Sequence, residues 1–248
     1  MNIKPVRIGS RYVGPGHPCF FVSEIGINHN GDIAIAKKLI DIAKKAGSDA
    51  VKFQKRTIDF LYEKKELDAY RESPFGKTYY EYRKGVEFEY KDHLKIQNYC
   101  KKKKIISFSS CWDTKAVDTM EKLNTPCYKI ASASLTNEIL LKYIKSKNKP
   151  IILSTGMSSI KDIKKAVKIL GKKNLIILHC TSTYPAKKEE LNLKVIHNLM
   201  RIFKVPVGYS GHETLLAPTL AAATLGACMI ERHITLDRAM WGSDHAAS

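Results

Sequence analysis

Arginine is scarce in this sequence: of 42 basic residues, 8 are Arg and 34 are Lys. Nucleic-acid surfaces lean on Arg, whose planar fork fits phosphates and base edges. The formal net charge of +18 therefore does not argue for a nucleic-acid partner. No interleaved basic–aromatic surface or helix-turn-helix pattern supports one either. No C-x-x-C pair occurs among Cys19, Cys100, Cys111, Cys127, Cys180 and Cys228. Without paired or regular spacing they read as small buried hydrophobes, not as a metal knot or disulfide framework, and they fit a reducing cytoplasm. No apolar run reaches the ~20 residues of a membrane span. The longest uncharged stretch, 214–230, holds 17 residues and is broken by Pro218 and Gly226. The opening Met1-Asn2-Ile3-Lys4-Pro5 lacks the apolar segment of a secretory signal. The expectation is a soluble cytoplasmic protein with no nucleic-acid or membrane partner.

With 44% hydrophobic residues in 248, the chain can bury a large core. Its lysines are spread through helical segments (Lys37, Lys38, Lys44, Lys45; Lys101 to Lys104; Lys164, Lys165, Lys168). Such a distribution suits a solvated outer face, with a positive field that attracts small anions.

Short apolar runs alternate with helix-period segments from end to end. The runs start at Cys19, Asp49, Ile105, Cys127, Pro150, Leu175, Val205 and Cys228. Between them lie helical segments 33–46, 91–103, 114–123, 136–147, 160–170, 191–203 and 216–225. The strands are continuous apolar runs, as when both faces are covered by protein. Eight β/α units in about 250 residues is the usual size of a closed (β/α)8 TIM barrel. A doubly wound sheet would tolerate the same pattern. We expect one α/β catalytic domain over residues 1–248, with no linker or repeat. The eighth helix is missing at the C-terminus, which reads as a truncated chain or as a barrel face left for a partner. The tyrosine-rich insertion from Arg56 to Glu89 follows strand two, where a long loop reads as a lid or substrate wall.

Barrel enzymes work at the C-terminal strand ends, and those ends are rich in polar residues. Strand one ends in Glu24, strand two carries Lys52 and Gln54, and strand three ends in Ser109-Ser110. Strand four carries Lys129 and then Ser132; strand five ends Ser154-Thr155-Gly156. Tyr184 follows strand six, Ser210 and His212 end strand seven, and Glu231, His233 and Asp244 belong to strand eight and its loop. Two inward lysines in apolar runs are costly unless they meet an anion. Serines, with amides near Gly156, can donate to phosphate or carboxylate. His212 and His233, on adjacent strands, could supply two nitrogens to one divalent metal, with Glu24 facing them across the barrel as a base or hydroxyl acceptor. Each feature has a plainer alternative. A strand lysine can pair with a core carboxylate, histidines can be core or rim, and strand-end serines often cap helices. The residues alone point to an anion-binding barrel.

The strings themselves go further. Ser23-Glu24-Ile25-Gly26-Ile27-Asn28-His29-Asn30-Gly31 resembles the opening motif of the sialic acid synthase (N-acetylneuraminate synthase) family. Val51-Lys52-Phe53-Gln54, Tyr128-Lys129-Ile130-Ala131-Ser132, Ser154-Thr155-Gly156-Met157, Gly208-Tyr209-Ser210-Gly211-His212 and Glu231-Arg232-His233-Ile234-Thr235-Leu236-Asp237 follow in family order. Arg71-Glu72-Ser73-Pro74-Phe75-Gly76 looks like one branch of it. The resemblance implies condensation of phosphoenolpyruvate with an N-acetylated hexosamine, typically N-acetylmannosamine, to a nine-carbon 2-keto acid and phosphate. It implies that His212 and His233 hold Mn2+ or Mg2+, and that Lys52, Lys129, Ser132, Ser154 and Ser210 grip phosphoenolpyruvate. Glu24 would lie near the sugar, with Tyr184 and Asp244 near the sugar and the intermediate. Gln54 and Ser109 complete the candidate substrate contacts. A homodimer is the implied assembly.

Two departures stand out. Where the family pattern carries an acidic residue two positions after the strand-four serine, this sequence has Ser134; that bears on which hexosamine is taken. The C-terminal antifreeze-like domain of many members is also absent from the sequence. The same chemistry on another amino sugar, of legionaminate or pseudaminate type, and a non-catalytic barrel module are the competing readings.

Overall fold

The computed structural model describes residues 3–248. Eight parallel strands close into one barrel, each pairing with its neighbours in sequence and the last pairing back onto the first. They are β1 (Phe20–Gly26), β2 (Ala50–Lys55), β3 (Ile106–Cys111), β4 (Tyr128–Ile130), β5 (Ile151–Ser154), β6 (Leu175–Cys180), β7 (Val207–Gly211) and β8 (Met229–His233). The covering helices are α1 (Ile33–Lys45), α2 (Tyr90–Lys103), α3 (Thr114–Lys122), α4 (Glu138–Ser146), α5 (Ile160–Leu170), α6 (Val195–Phe203) and α7 (Ala217–Thr224). The expected TIM-barrel architecture is what the chain adopts. After β8, the described residues contain one short 3-10 turn, His245–Ala247, and no covering helix.

Side-chain alternation along each strand builds the interior in layers. Val22, Ala50, Phe108, Cys127, Ile152, Leu178 and Met229 pack into an apolar floor. Two residues further along each strand come Glu24, Lys52, Ser110, Lys129, Ser154, Cys180 and Glu231, all lining one cavity. The intervening residues point outward: Tyr128, Ile130, Leu153, Ile177, Tyr209 and Ile230 pack beneath helices, as do Ile25, Val51 and Phe53. Burying each such side chain contributes about 1.5–3 kcal/mol. Gly208 completes the floor, because a Cβ there would stand 2.4 Å from the Met229 carbonyl oxygen and 2.7 Å from Leu178 Cδ2.

Helix boundaries follow their caps. Asp32 caps α1 by accepting from the Ala34 and Ile35 amides, and Ser159 with Asp162 forms a capping box on α5. The segment expected as helix from residue 136 begins at Glu138, because Asn137 accepts from the Leu140 amide.

Two features lie outside the alternating pattern. A hairpin of Val6–Ile8 with Arg11–Val13 plugs the barrel bottom, where Val6, Ile8 and Val13 join the floor cluster. Its strands have three residues each, too few to show a period. The insertion after β2 folds into short helices Ile58–Leu61 and Lys64–Leu67, a hairpin of Tyr70–Ser73 with Gly76–Thr78, and the helix Tyr79–Val86. Its Phe75 and Tyr82 pack edge-on to Trp241 in the loop after β8, at 5.7 and 5.8 Å between ring centroids. Residues of the insertion do not line the central cavity. In this structure it buttresses the loop after β8 at the mouth.

Candidate active site

The cavity at the C-terminal strand ends has a volume of about 310 Å³. Its lower layer is a closed network of charges. Lys52 Nζ lies 2.8 Å from Glu24 Oε2 and 3.8 Å from Glu231 Oε1, and it donates to Ser110 Oγ at 2.9 Å. Lys129 Nζ donates to the same Glu231 oxygen at 3.3 Å, and Ser210 Oγ does so at 3.0 Å. Lys52, Lys129, Glu24 and Glu231 are all buried. Such a set is stable only because each charge has a partner.

The network splits the two carboxyl groups. Burial and the neighbouring Glu231 charge push Glu24 up to about 7, against the opposing pull of Lys52. Burial would raise Glu231 too, but Lys129, Lys52 and the Ser210 hydroxyl outweigh it and hold that carboxyl well below its usual range. One carboxyl is thus a permanent anion and the other is poised to exchange a proton near neutrality. Burial lowers Lys129, whereas the two carboxylates more than offset burial at Lys52.

Serines surround this network. Ser154 Oγ is buried without a hydrogen-bond partner, a donor left for something else to accept. Gly156 N–H is committed to Ser132 Oγ at 2.9 Å, so that amide is not free to bind an anion; it turns the Ser132 proton away from itself instead.

The upper layer is aromatic and amide in character: Gln54, Trp112, Tyr184 and His233 line the mouth. Gln54 Nε2 donates to Glu24 Oε1 at 3.3 Å. His212 and His233 face each other with ring centroids 5.5 Å apart. His212 Nδ1 bonds the Thr181 carbonyl at 2.7 Å, which fixes the proton there and leaves Nε2 with a lone pair. Burial, with His212 and Lys52 nearby, lowers His233 to about 4, so its ring is neutral at physiological pH. Asp244 Oδ2 lies 3.9 Å from His233 Nδ1. Among the described residues no group of three His, Cys, Asp or Glu is placed to hold a metal ion.

The NeuB family model matches residues 39–248. The chain belongs to the NeuB family. It is 40% identical to human N-acetylneuraminate-9-phosphate synthase over 243 residues, which cover 96% of this chain and 68% of that protein. It is 38% identical to N,N'-diacetyllegionaminic acid synthase of Legionella pneumophila over 246 residues, 95% of this chain and 69% of that protein. The crystal structure of an N-acetylneuraminic acid synthetase from Leptospira borgpetersenii in complex with citrate superposes with a TM-score of 0.89 at 31% identity, covering 99% of this chain and 83% of that one. The chain is an enzyme of the N-acetylneuraminate synthase type, making a sialic-acid-like sugar acid.

Within this NeuB-family barrel, Glu24, Lys52, Gln54, Lys129, Ser132, Ser154, Tyr184, Ser210, His212 and His233 meet in one cavity. Ser109 does not join them. It points outward between Phe53, His93 and Ile96 under α2, while Ser110 reaches Lys52. Consecutive strand residues face opposite ways, and the inward Phe108 fixes which serine is inside. Asp244 stands behind His233 and does not line the cavity. Glu24 is not across the barrel from His233: closure pairs β8 with β1 and places them in register. Glu231, Trp112 and Cys180 are lining residues with no role in the sequence reading. For Glu231 a signal existed, since it alternates with His233 on one strand.

Proposed function

We propose that this enzyme condenses phosphoenolpyruvate with an N-acetylated hexosamine, N-acetylmannosamine first among them, to give a nine-carbon 2-keto sugar acid and phosphate. One catalytic barrel would carry the reaction, in the cytoplasm and as a homodimer. The observation that supports this most is the buried pair Lys52 and Lys129, set among Ser110, Ser154 and Ser210. Two ammonium groups and several hydroxyls at the base of an open-mouthed cavity suit a small polyanion carrying phosphate and carboxylate. The aromatic and amide mouth above suits a sugar.

The donor set fits a divalent ion, Mn2+ or Mg2+, held by His212 and His233: neutral His212, its Nδ1 on the Thr181 carbonyl, offers the Nε2 lone pair in place of its bond to Tyr184, and His233 stays neutral. Two protein ligands give an exchangeable site completed by water or substrate. When bound, such an ion supplies Lewis-acid polarisation of the open-chain sugar aldehyde. The chain's own groups do the rest. Lys52 and Lys129 hold phosphoenolpyruvate while its C3 forms a bond to the aldehyde carbon. Protonated Glu24 donates to the aldehyde oxygen as it becomes a hydroxyl. The resulting Glu24 carboxylate takes one proton from the water that adds at C2. The bond from C2 to the phosphate oxygen then breaks, phosphate leaves with the second proton, and C2 becomes the ketone. Glu231 remains ionised throughout and keeps both lysines charged.

The test is to incubate the protein with phosphoenolpyruvate, Mn2+ and a panel of 2-acetamido and diacetamido hexoses, measuring phosphate release and product mass. Phosphate release that requires one sugar, with a matching keto-acid mass, is the expected result. Absence of sugar-dependent release across the panel would favour a non-catalytic barrel.

A further inference from the structure

Arg56 follows the last residue of β2, and its side chain is 5% exposed. It does not line the cavity, yet it touches two residues that do. Its plane lies over the Trp112 ring at 4.0 Å, and its Nη2 donates to Gln54 Oε1. Its backbone N–H donates to Glu87 Oε1 at 2.9 Å, but that carboxylate is shared with Lys55 at 3.2 Å. The closest approach of the Arg56 guanidinium to Glu87 is 4.0 Å. Nε of Arg56 is buried without a partner. Burying a guanidinium with so little direct pairing is unfavourable, and burial lowers its pKa despite Glu87. Simple charge neutralisation does not account for its placement.

The amide of Gln54 explains more. An amide presents an acceptor at one end and two donors at the other, and rotating it exchanges them. A guanidinium has donors only. With Arg56 on the oxygen, Nε2 must face Glu24, as it does at 3.3 Å. The flipped amide would set its oxygen against a carboxyl oxygen and an N–H group against a guanidinium. Trp112, beyond β3, is steadied by the same side chain through stacking.

We propose that Arg56 is a positioning residue for the acceptor side of the cavity, fixing the Gln54 amide in one orientation and the Trp112 ring in place without touching substrate. The inference rests on the proposed condensation, in which the mouth layer receives the sugar. Phosphoenolpyruvate is held a layer below by Lys52 and Lys129, so the two substrates should respond differently to loss of Arg56.

The experiment uses the full chain with Arg56→Met and Arg56→Lys, read by kinetics and by the side-chain amide signals of Gln54 in 15N-labelled protein, assigned with Gln54→Met. The expected result is a KM for the amino sugar raised about tenfold or more with the KM for phosphoenolpyruvate within about twofold, the scale of one lost charge-assisted hydrogen bond. The Gln54 amide signals should shift and broaden in the same variant. Arg56→Lys keeps the charge and folds with least disturbance; lacking the planar fork, it should show the same acceptor-selective change. Equal changes in both KM values, or unaltered Gln54 signals in a folded variant, would overturn the proposal. The amide signals need no turnover, so they decide the matter even if no sugar proves to be a substrate.

Discussion

Tyr184 donates its phenolic proton to Nε2 of His212 across 2.7 Å, covering the nitrogen that a metal ion would use. The two rings lie 3.9 Å apart between centroids. Ion and phenol compete for one lone pair. Tyr184→Phe should therefore raise the affinity of the substrate-free protein for Mn2+ by roughly fivefold, the equivalent of a hydrogen bond worth about 1 kcal/mol. Titration followed by the electron paramagnetic resonance of free Mn2+ measures this. His212→Ala should abolish the binding, and an unchanged affinity there would remove the metal from the site.

Lys129 is the partner that keeps Glu231 ionised from the β4 side. Lys129→Ala should raise the KM for phosphoenolpyruvate and lower turnover, a combined loss on the order of 3 kcal/mol in kcat/KM, as for a buried pair broken on one side. Unchanged dependence on phosphoenolpyruvate would make Lys129 a structural residue.

A carboxyl poised at about 7 gives the reaction a pH signature. If Glu24 must start protonated, kcat/KM should be level below that value and fall tenfold per pH unit well above it. Glu24→Gln should remove most activity and flatten the limb. A profile level from pH 6 to 9 would show that Glu24 carries no essential proton.

His29 and His93 are buried around Phe88, with His29 stacked on that ring at 3.8 Å. Burial is the chief cause that lowers both to about 3 from 6.5. The unfolded chain takes up protons below pH 6.5 and the folded one does not, so stability is full above 6.5 and is lost as pH falls from there toward 3. Urea unfolding at pH 5 should show a loss of about 1–2 kcal/mol per histidine relative to pH 7.5, and His93→Phe should recover part of it.

Gly208 sits in the apolar floor where a Cβ meets backbone and side chain below 3.0 Å. Gly208→Ala should cost about 1–3 kcal/mol of stability by overpacking, visible as a lowered midpoint in urea. No loss would mean that Met229 and Leu178 can move aside.

What the sequence determined by itself was the count and type of barrel elements. Alternation of apolar runs with helix-period segments is a local property, so β1 to β8 and α1 to α7 were legible in number, type and order, with ends displaced by up to a few residues, as where α6 starts at Val195 and not at 191. The site was legible as a set of strand ends, because a parallel barrel brings all those ends to one mouth. The tertiary structure alone decided which of two neighbouring polar residues faces inward and what each inward side chain touches. Ser109 and Ser110 are equivalent as sequence; one outward step of the strand separates them. Arg56 reads as one more charge in an insertion until closure sets it against Gln54 and Trp112. Glu24 and Glu231 are chemically the same group; burial and the Glu231 charge push Glu24 toward neutrality, while Glu231's distances to Lys129, Lys52 and Ser210 hold it ionised. Those distances depend on register between strands far apart in the chain, and register is fixed by packing of the whole barrel, not by any local run of residues.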